Sequence, residues 1–201
     1  MKSYKIKILN DIITMSNGYI SAKELTEAGL SSYDISRFIE LDYIDKVKRG
    51  LYRKCNADDE YNEMVEVSKI VPKGFICLLS ALTYYELTTY IPSEYQIAVH
   101  MNAHKTKLPG YPPIKLYFFS DDRFNTGVSS IKISGNKVNI YDVEKTLCDC
   151  IFYRNKIGTD IVKEALDNYI KRKSKNIPRL LEYAEKLRVK ATLKTYLEVL
   201  I

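Results

Sequence analysis

An α+β fold is expected from three features of the 201-residue sequence: helical periodicity punctuated by capping signals up to Leu41, short alternating runs in the middle, and helix-forming blocks from Asp142 onward. Ile6, Leu9, Ile12 and Ile13 recur at helical spacing, and Asn17-Gly18 ends the first helix with a pair suited to a left-handed turn. Tyr19-Ile20 is long enough only for a bridge of strand. Ser21 to Glu24 has the capping-box pattern, in which hydroxyl and carboxylate satisfy backbone donors reciprocally, so a second helix begins at about Ala22. Leu25 and Ala28 form its apolar side, and Gly29 supplies the positive φ that reverses the chain. Ser31 through Asp34 repeats the capping-box spacing ahead of Ile35, Phe38, Ile39 and Leu41. The third helix is therefore amphipathic, with Ser32, Tyr33, Ser36, Arg37 and Glu40 outward.

Tyr43 to Lys54 reads as a hairpin, two alternating runs bent at Gly50. The acidic stretch Asp58 to Glu60 breaks the pattern, which places a module boundary within Cys55 to Tyr61 and divides the chain into 1–57 and 58–201, each part burying its own core. In the second part, Met64 to Val71 is apolar and closed by Pro72-Lys73-Gly74, and a helix is expected over Leu78 to Leu87. Strand-like runs follow at Tyr95 to His100, Ile114 to Phe119, Ser130 to Ser134 and Lys137 to Ile140, which predict an antiparallel, twisted sheet. Helical blocks lie near Val143 to Tyr153, Asp160 to Lys173, Pro178 to Leu187 and Ala191 to Leu200.

The bulk composition narrows the class. Hydrophobic content of 46% with 28% charged residues is that of a globular chain, and a net charge of +6 favours a polyanionic partner. Cys55, Cys77, Cys148 and Cys150 lack the two-residue gap of zinc ribbons and redox motifs, no secretory signal precedes them, and no apolar run approaches a membrane span. Reduced thiols in a cytoplasmic protein with no membrane association are expected.

Three short helices followed by a basic hairpin is the order of a winged helix-turn-helix, whose recognition helix lies in the major groove of duplex DNA. On this reading Ser31, Ser32, Tyr33, Ser36 and Arg37 offer hydroxyls, a ring and a guanidinium to base edges or phosphates, opposed only by Asp34 and Glu40. The hairpin adds Lys46, Lys48, Arg49, Arg53 and Lys54, with Lys48 and Arg49 projecting at the bend toward phosphate.

The strings Gly18-Tyr19-Ile20-Ser21 through Leu25, Ala28-Gly29-Leu30-Ser31 and Val47-Lys48-Arg49-Gly50-Leu51-Tyr52 resemble the N-terminal domain of AbiEi antitoxins of type IV toxin–antitoxin systems. The second part is similar too, with Leu79-Ser80-Ala81-Leu82-Thr83-Tyr84-Tyr85-Glu86-Leu87 and Val143-Glu144-Lys145-Thr146-Leu147-Cys148-Asp149. The resemblance, which runs over nearly the whole chain, implies an autorepressor that binds inverted repeats in its own promoter. It also implies a C-terminal antitoxin domain that counteracts a nucleotidyltransferase-like toxin in abortive phage infection, without a required stable complex. A plain transcriptional regulator whose second domain senses a ligand or a protein is the alternative.

No cofactor, metal or catalytic residue is expected. His100 and His104 flank a strand end and a loop rather than sharing a helical face, and no glycine loop stands ready to cradle a phosphate. Asp142, Glu144, Lys145 and Asp149 read as an N-cap followed by helix-surface charges rather than as a nuclease-type set. Lys171, Arg172, Lys173, Lys175 and Arg179 read either as hydrated charges at a helix end or as a second polyanion contact.

Overall fold

The computed structural model describes residues 3–55, 62–104 and 107–200. The expected boundary between the halves falls on residues 56–61 and lies outside the described residues. The chain begins with α1 (Ser3–Met15), β1 (Tyr19–Ser21), α2 (Ala22–Glu27), α3 (Ser32–Glu40), β2 (Ile44–Lys48) and β3 (Leu51–Lys54). Both capping boxes form: the Ser21 and Ser31 side chains accept from the Glu24 and Asp34 amides, and each carboxylate accepts the amide of its cap. Asn17 and Gly18 both take positive φ, so the chain turns out of α1 where the dipeptide predicts. Leu9, Ile13, Ile20, Leu25, Leu30, Ile35, Phe38 and Ile44 pack into a core between the three helices and the sheet.

That sheet has the order β1-β3-β2, all antiparallel. Ser21 pairs with Leu51, and the Ala22 amide donates to the Gly50 carbonyl at 2.9 Å. The bend at Arg49-Gly50 is thus tied to the start of α2 instead of extending past the sheet.

The second part runs α4 (Glu63–Ile70), β4 (Phe75–Ile76), α5 (Leu78–Tyr84), β5 (Tyr95–His100), β6 (Ile114–Phe119), α6 (Asp121–Asn125), β7 (Val128–Ile133) and β8 (Asn136–Tyr141). It finishes with α7 (Val143–Phe152), α8 (Arg154–Ile157), α9 (Thr159–Lys171), α10 (Ile177–Lys186) and α11 (Lys190–Leu200). The fold is α+β with a helical C-terminal part. Helix α5 is shorter than the sequence suggests, because Glu86 takes positive φ and the Leu87 amide folds back onto the Leu82 carbonyl at 2.9 Å.

The five-stranded sheet has the order β6-β5-β4-β8-β7. The expectation of an antiparallel sheet is corrected here: β4–β5 and β7–β8 are antiparallel, but β5–β6 and β4–β8 are parallel. Two causes are physical. Strand β4 is two residues long, too short for any alternation to show, yet it is wedged between β5 and β8. The connection 101–113 is also long enough to carry the chain back to the start of a parallel neighbour.

Side chains alternate across this sheet. Phe75, Ala98, Tyr117, Phe119 and Tyr141 face the helical layer of α5, α7, α9, α10 and α11. Ile76, Ile97, Val99, Leu116, Val138 and Ile140 face α4, and Leu51, with Tyr19 and Val47 half-buried beside it, joins the same cluster. The two halves therefore share a core. The Tyr19 hydroxyl and Arg53 Nη1 both donate to Glu66 Oε2, at 3.3 and 3.1 Å, and Asn17 and Gly135 meet through Nδ2 and a carbonyl at 3.4 Å.

Candidate nucleic-acid interface

Helix α3 owes its two faces to its spacing. Asp34, Ile35 and Phe38 are buried, while Ser32, Tyr33 and Ser36 are exposed, with the Tyr33 ring 72% accessible. Of the two carboxylates expected to oppose an anion, Asp34 is turned inward. It receives Lys5 Nζ at 2.6 Å and the Ser31 hydroxyl at 2.7 Å. Glu40 accepts from Arg37 Nη1 at 2.8 Å in an exposed pair, worth at most about 1 kcal/mol and readily exchanged for another anion. The Ser31 hydroxyl is occupied in its own capping box, so its part at this face is to hold α3, and the Ser36 hydroxyl returns to the Ser32 carbonyl at 3.1 Å.

The Lys5 hydrogen bond, then the bonds from Ser31, hold the Asp34 carboxyl down from 3.8 to about 2. A carboxylate with a depressed folded pKa stabilises fully above its unfolded value and loses that contribution as pH falls through the folded one. Thermal melts followed by circular dichroism should therefore show an acid loss in the window from pH 3.8 to about 2 that Asp34→Asn lacks. An unchanged acid limb in the variant would mean that the pair contributes nothing to folding.

The hairpin cations divide. Lys46 and Arg49 are exposed. Lys48 is turned into the protein, against the expectation that it projects: its Nζ donates to the Ile70 carbonyl at 2.8 Å, and burial lowers its pKa. A register shift between Lys46 and Lys48 is the cause, since a bulge breaks the two-residue alternation and re-aims the side chain. Arg53 lies between Asp45 Oδ2 at 3.4 Å and Glu66 Oε2 at 3.1 Å, and Lys54 is half-buried. The bend thus presents Arg49, with Lys46 beside it on β2.

The C-terminal basic cluster occupies the end of α9 and the turn into α10. Lys171, Lys173, Lys175 and Arg179 are exposed and Arg172 is half-buried; Lys171 Nζ pairs with Asp167 Oδ2 at 2.5 Å. Helices α9 and α10 pack on the opposite face of the five-stranded sheet from α4 and the hairpin.

Asp142 caps α7 as expected, accepting the Lys145 amide at 2.8 Å. The helix-surface reading of its neighbours is corrected: Glu144, Lys145 and Asp149 are buried. Asp149 accepts from Lys145 Nζ and from Arg123 Nη1, the latter at 2.6 Å, and Lys145 lies over the rings of Tyr141 and Phe119 at 4.1 and 4.9 Å. Arg123 escaped the sequence reading because α6 is a five-residue helix with no periodicity to reveal it. Glu144 accepts the Tyr169 hydroxyl at 2.8 Å, so each buried charge has a partner.

Among the described residues, no group of three or more His, Cys, Asp and Glu could hold a metal ion. His100 pairs with Asp121, and His104 is exposed on the following loop. Cys77, Cys148 and Cys150 are buried, and burial pushes the Cys148 thiol up to about 12 and the half-buried Cys55 thiol to about 11. Among the described residues no helix is long and apolar enough to cross a membrane. No protein-family model matches the chain, and no curated protein matches it.

Proposed function

We propose that residues 3–55 are a winged helix-turn-helix that binds duplex DNA, with α3 in the major groove. The observation that carries this reading is the outer face of α3: Ser32, Tyr33 and Ser36 are exposed beside Arg37, on a helix whose acidic residue at the cap is neutralised by Lys5. Arg49 and Lys46 supply phosphate contacts, whereas Lys48 and Arg53 act within the fold. Together with the resemblance to AbiEi antitoxins, this face supports reading the protein as a cytoplasmic autorepressor and non-enzymatic antitoxin opposing a nucleotidyltransferase-like toxin.

Titration of labelled promoter DNA at several salt concentrations tests the reading. Affinity should fall steeply with salt, and Lys46→Ala with Arg49→Ala should flatten the slope by about 2, because each lost phosphate contact removes about 0.9. Tyr33→Ala and Arg37→Ala should cost about 1–3 kcal/mol on the operator and less on random duplex. A salt-independent affinity would overturn the DNA reading. The antitoxin part is checked separately by growth of cells that co-express a nucleotidyltransferase-like toxin encoded beside it, and absence of such a toxin or of rescue would leave a regulator without that role.

A further inference from the structure

We infer that β6 is a self-association edge, through which two copies of this chain pair antiparallel with the twofold axis at Leu116. Strand β6 stands at one end of the five-stranded sheet and pairs with β5 alone. The Tyr95 amide donates to the Pro113 carbonyl and the Met101 amide to the Phe119 carbonyl, both at 2.8 Å, so the odd-numbered residues of this parallel ladder turn their backbone toward β5. The backbone donors and acceptors of Ile114, Leu116 and Phe118 consequently point away from the sheet. Among the described residues none of these groups has a protein partner.

Edges of this kind are normally guarded by proline, bulges or charge. Strand β6, Ile-Lys-Leu-Tyr-Phe-Phe, has no proline and no bulge, and its one cation, Lys115, is already neutralised by Glu94 at 2.9 Å. The opposite edge is more polar: β7 presents Ser129, Ser130 and Lys132 to solvent along with Val128 at its start. At β6 the exposed residues are Lys115, on the face toward the helices, and Phe118, 46% accessible on the other face beside Leu116.

A second copy is the occupant that the sequence of the edge fits. With the axis at Leu116, Ile114 lies opposite Phe118 of the partner subunit, and Leu116 lies opposite itself. Every outward donor and acceptor of the three residues then meets its counterpart. Lys115 falls opposite Tyr117 of the partner subunit, so no like charges are opposed. The axis also gives the pair the symmetry of an inverted repeat, although the inference stands on the edge alone and not on the DNA reading.

The test uses the full chain without DNA, so its outcome is independent of that reading. Sedimentation over roughly 1–200 μM, a range suited to a strand-sized interface, should show a monomer converting to a dimer. Amide exchange at Leu116 and Phe118, which have no acceptor within the chain, should slow at least about tenfold from the dilute to the concentrated end. Phe118→Pro removes the outward donor together with the partly exposed ring and should give a monomer with unchanged circular dichroism. Phe118→Lys, which keeps the donor but sets a cation into the apolar seam, should do the same. A monomer with fast exchange at both concentrations overturns the inference, as does a dimer that survives both substitutions. Should Phe118→Pro fail to fold, exchange in the unmodified chain still decides.

Discussion

Asp149→Asn is expected to remove about 3–5 kcal/mol of folding free energy and about 6–20 °C of melting temperature, the cost of leaving buried cations without their anion. Asp149 and Lys145 are fully buried, Arg123 nearly so, and one carboxylate serves both cations. Amide nitrogen in place of an oxygen keeps the shape but strips the charge and an acceptor. Burial already depresses the Lys145 pKa, and the faces of Tyr141 and Phe119 are its other neighbours. The Arg123 guanidinium also donates to the Leu187 carbonyl at 3.2 Å, so its displacement loosens the end of α10 as well. Lys145→Met should cost less, because it deletes one cation and leaves the Arg123–Asp149 pair intact. Urea unfolding of the three proteins measures this directly. A loss below about 1 kcal/mol for Asp149→Asn would show that water or rearrangement replaces the missing anion.

Glu66→Ala should follow, at about 2–3 kcal/mol, because Glu66 is 2% accessible and joins the halves by accepting from both Tyr19 and Arg53. Glu66→Gln keeps an acceptor for one of them and should lose about half as much. Hydrogen exchange separates a local from a global effect. Amides of β1 and β3 should lose protection in Glu66→Ala, while those of β8, across the cluster, should hold theirs. Equal losses in both sheets would mean that the substitution destabilises the chain as one unit.

What could be read from the sequence was what is encoded locally. Both capping boxes and the Asn17-Gly18 turn depend on residues within a few positions of one another, and each forms where its pattern stands. The outer face of α3 followed from periodicity in the same way. Features decided by distant partners were not legible. Strand β4 exists because β5 and β8 flank it, and Lys48 turns inward because a bulge meets the Ile70 carbonyl. The misreading of Lys145 and Asp149 has a similar origin: charged residues spaced i,i+4 on a helix are ordinarily solvated, and only the approach of Arg123 and an aromatic floor from the sheet makes their burial affordable. Asp34 is the reverse case, a residue whose cap role was evident while its Lys5 partner, on another helix, was not.

The core shared by the hairpin and α4 bears on how such a chain can be recombined. Leu51, Tyr19 and Val47 cover Val67, Ile70 and Ile76, and Lys48 and Arg53 end on α4. A crossover placed between residues 55 and 62 would graft the three N-terminal helices onto a foreign partner with an apolar patch uncovered, a cation facing no carbonyl, and a carboxylate left behind in the donor. Moving the crossover past Ile70 only moves the exposed seam, because α4 also covers Ile76, Ile97, Val138 and Ile140 of the five-stranded sheet. Helix α4 therefore offers no clean seam on either side, and a chimaera has to carry it together with the sheet face that it covers.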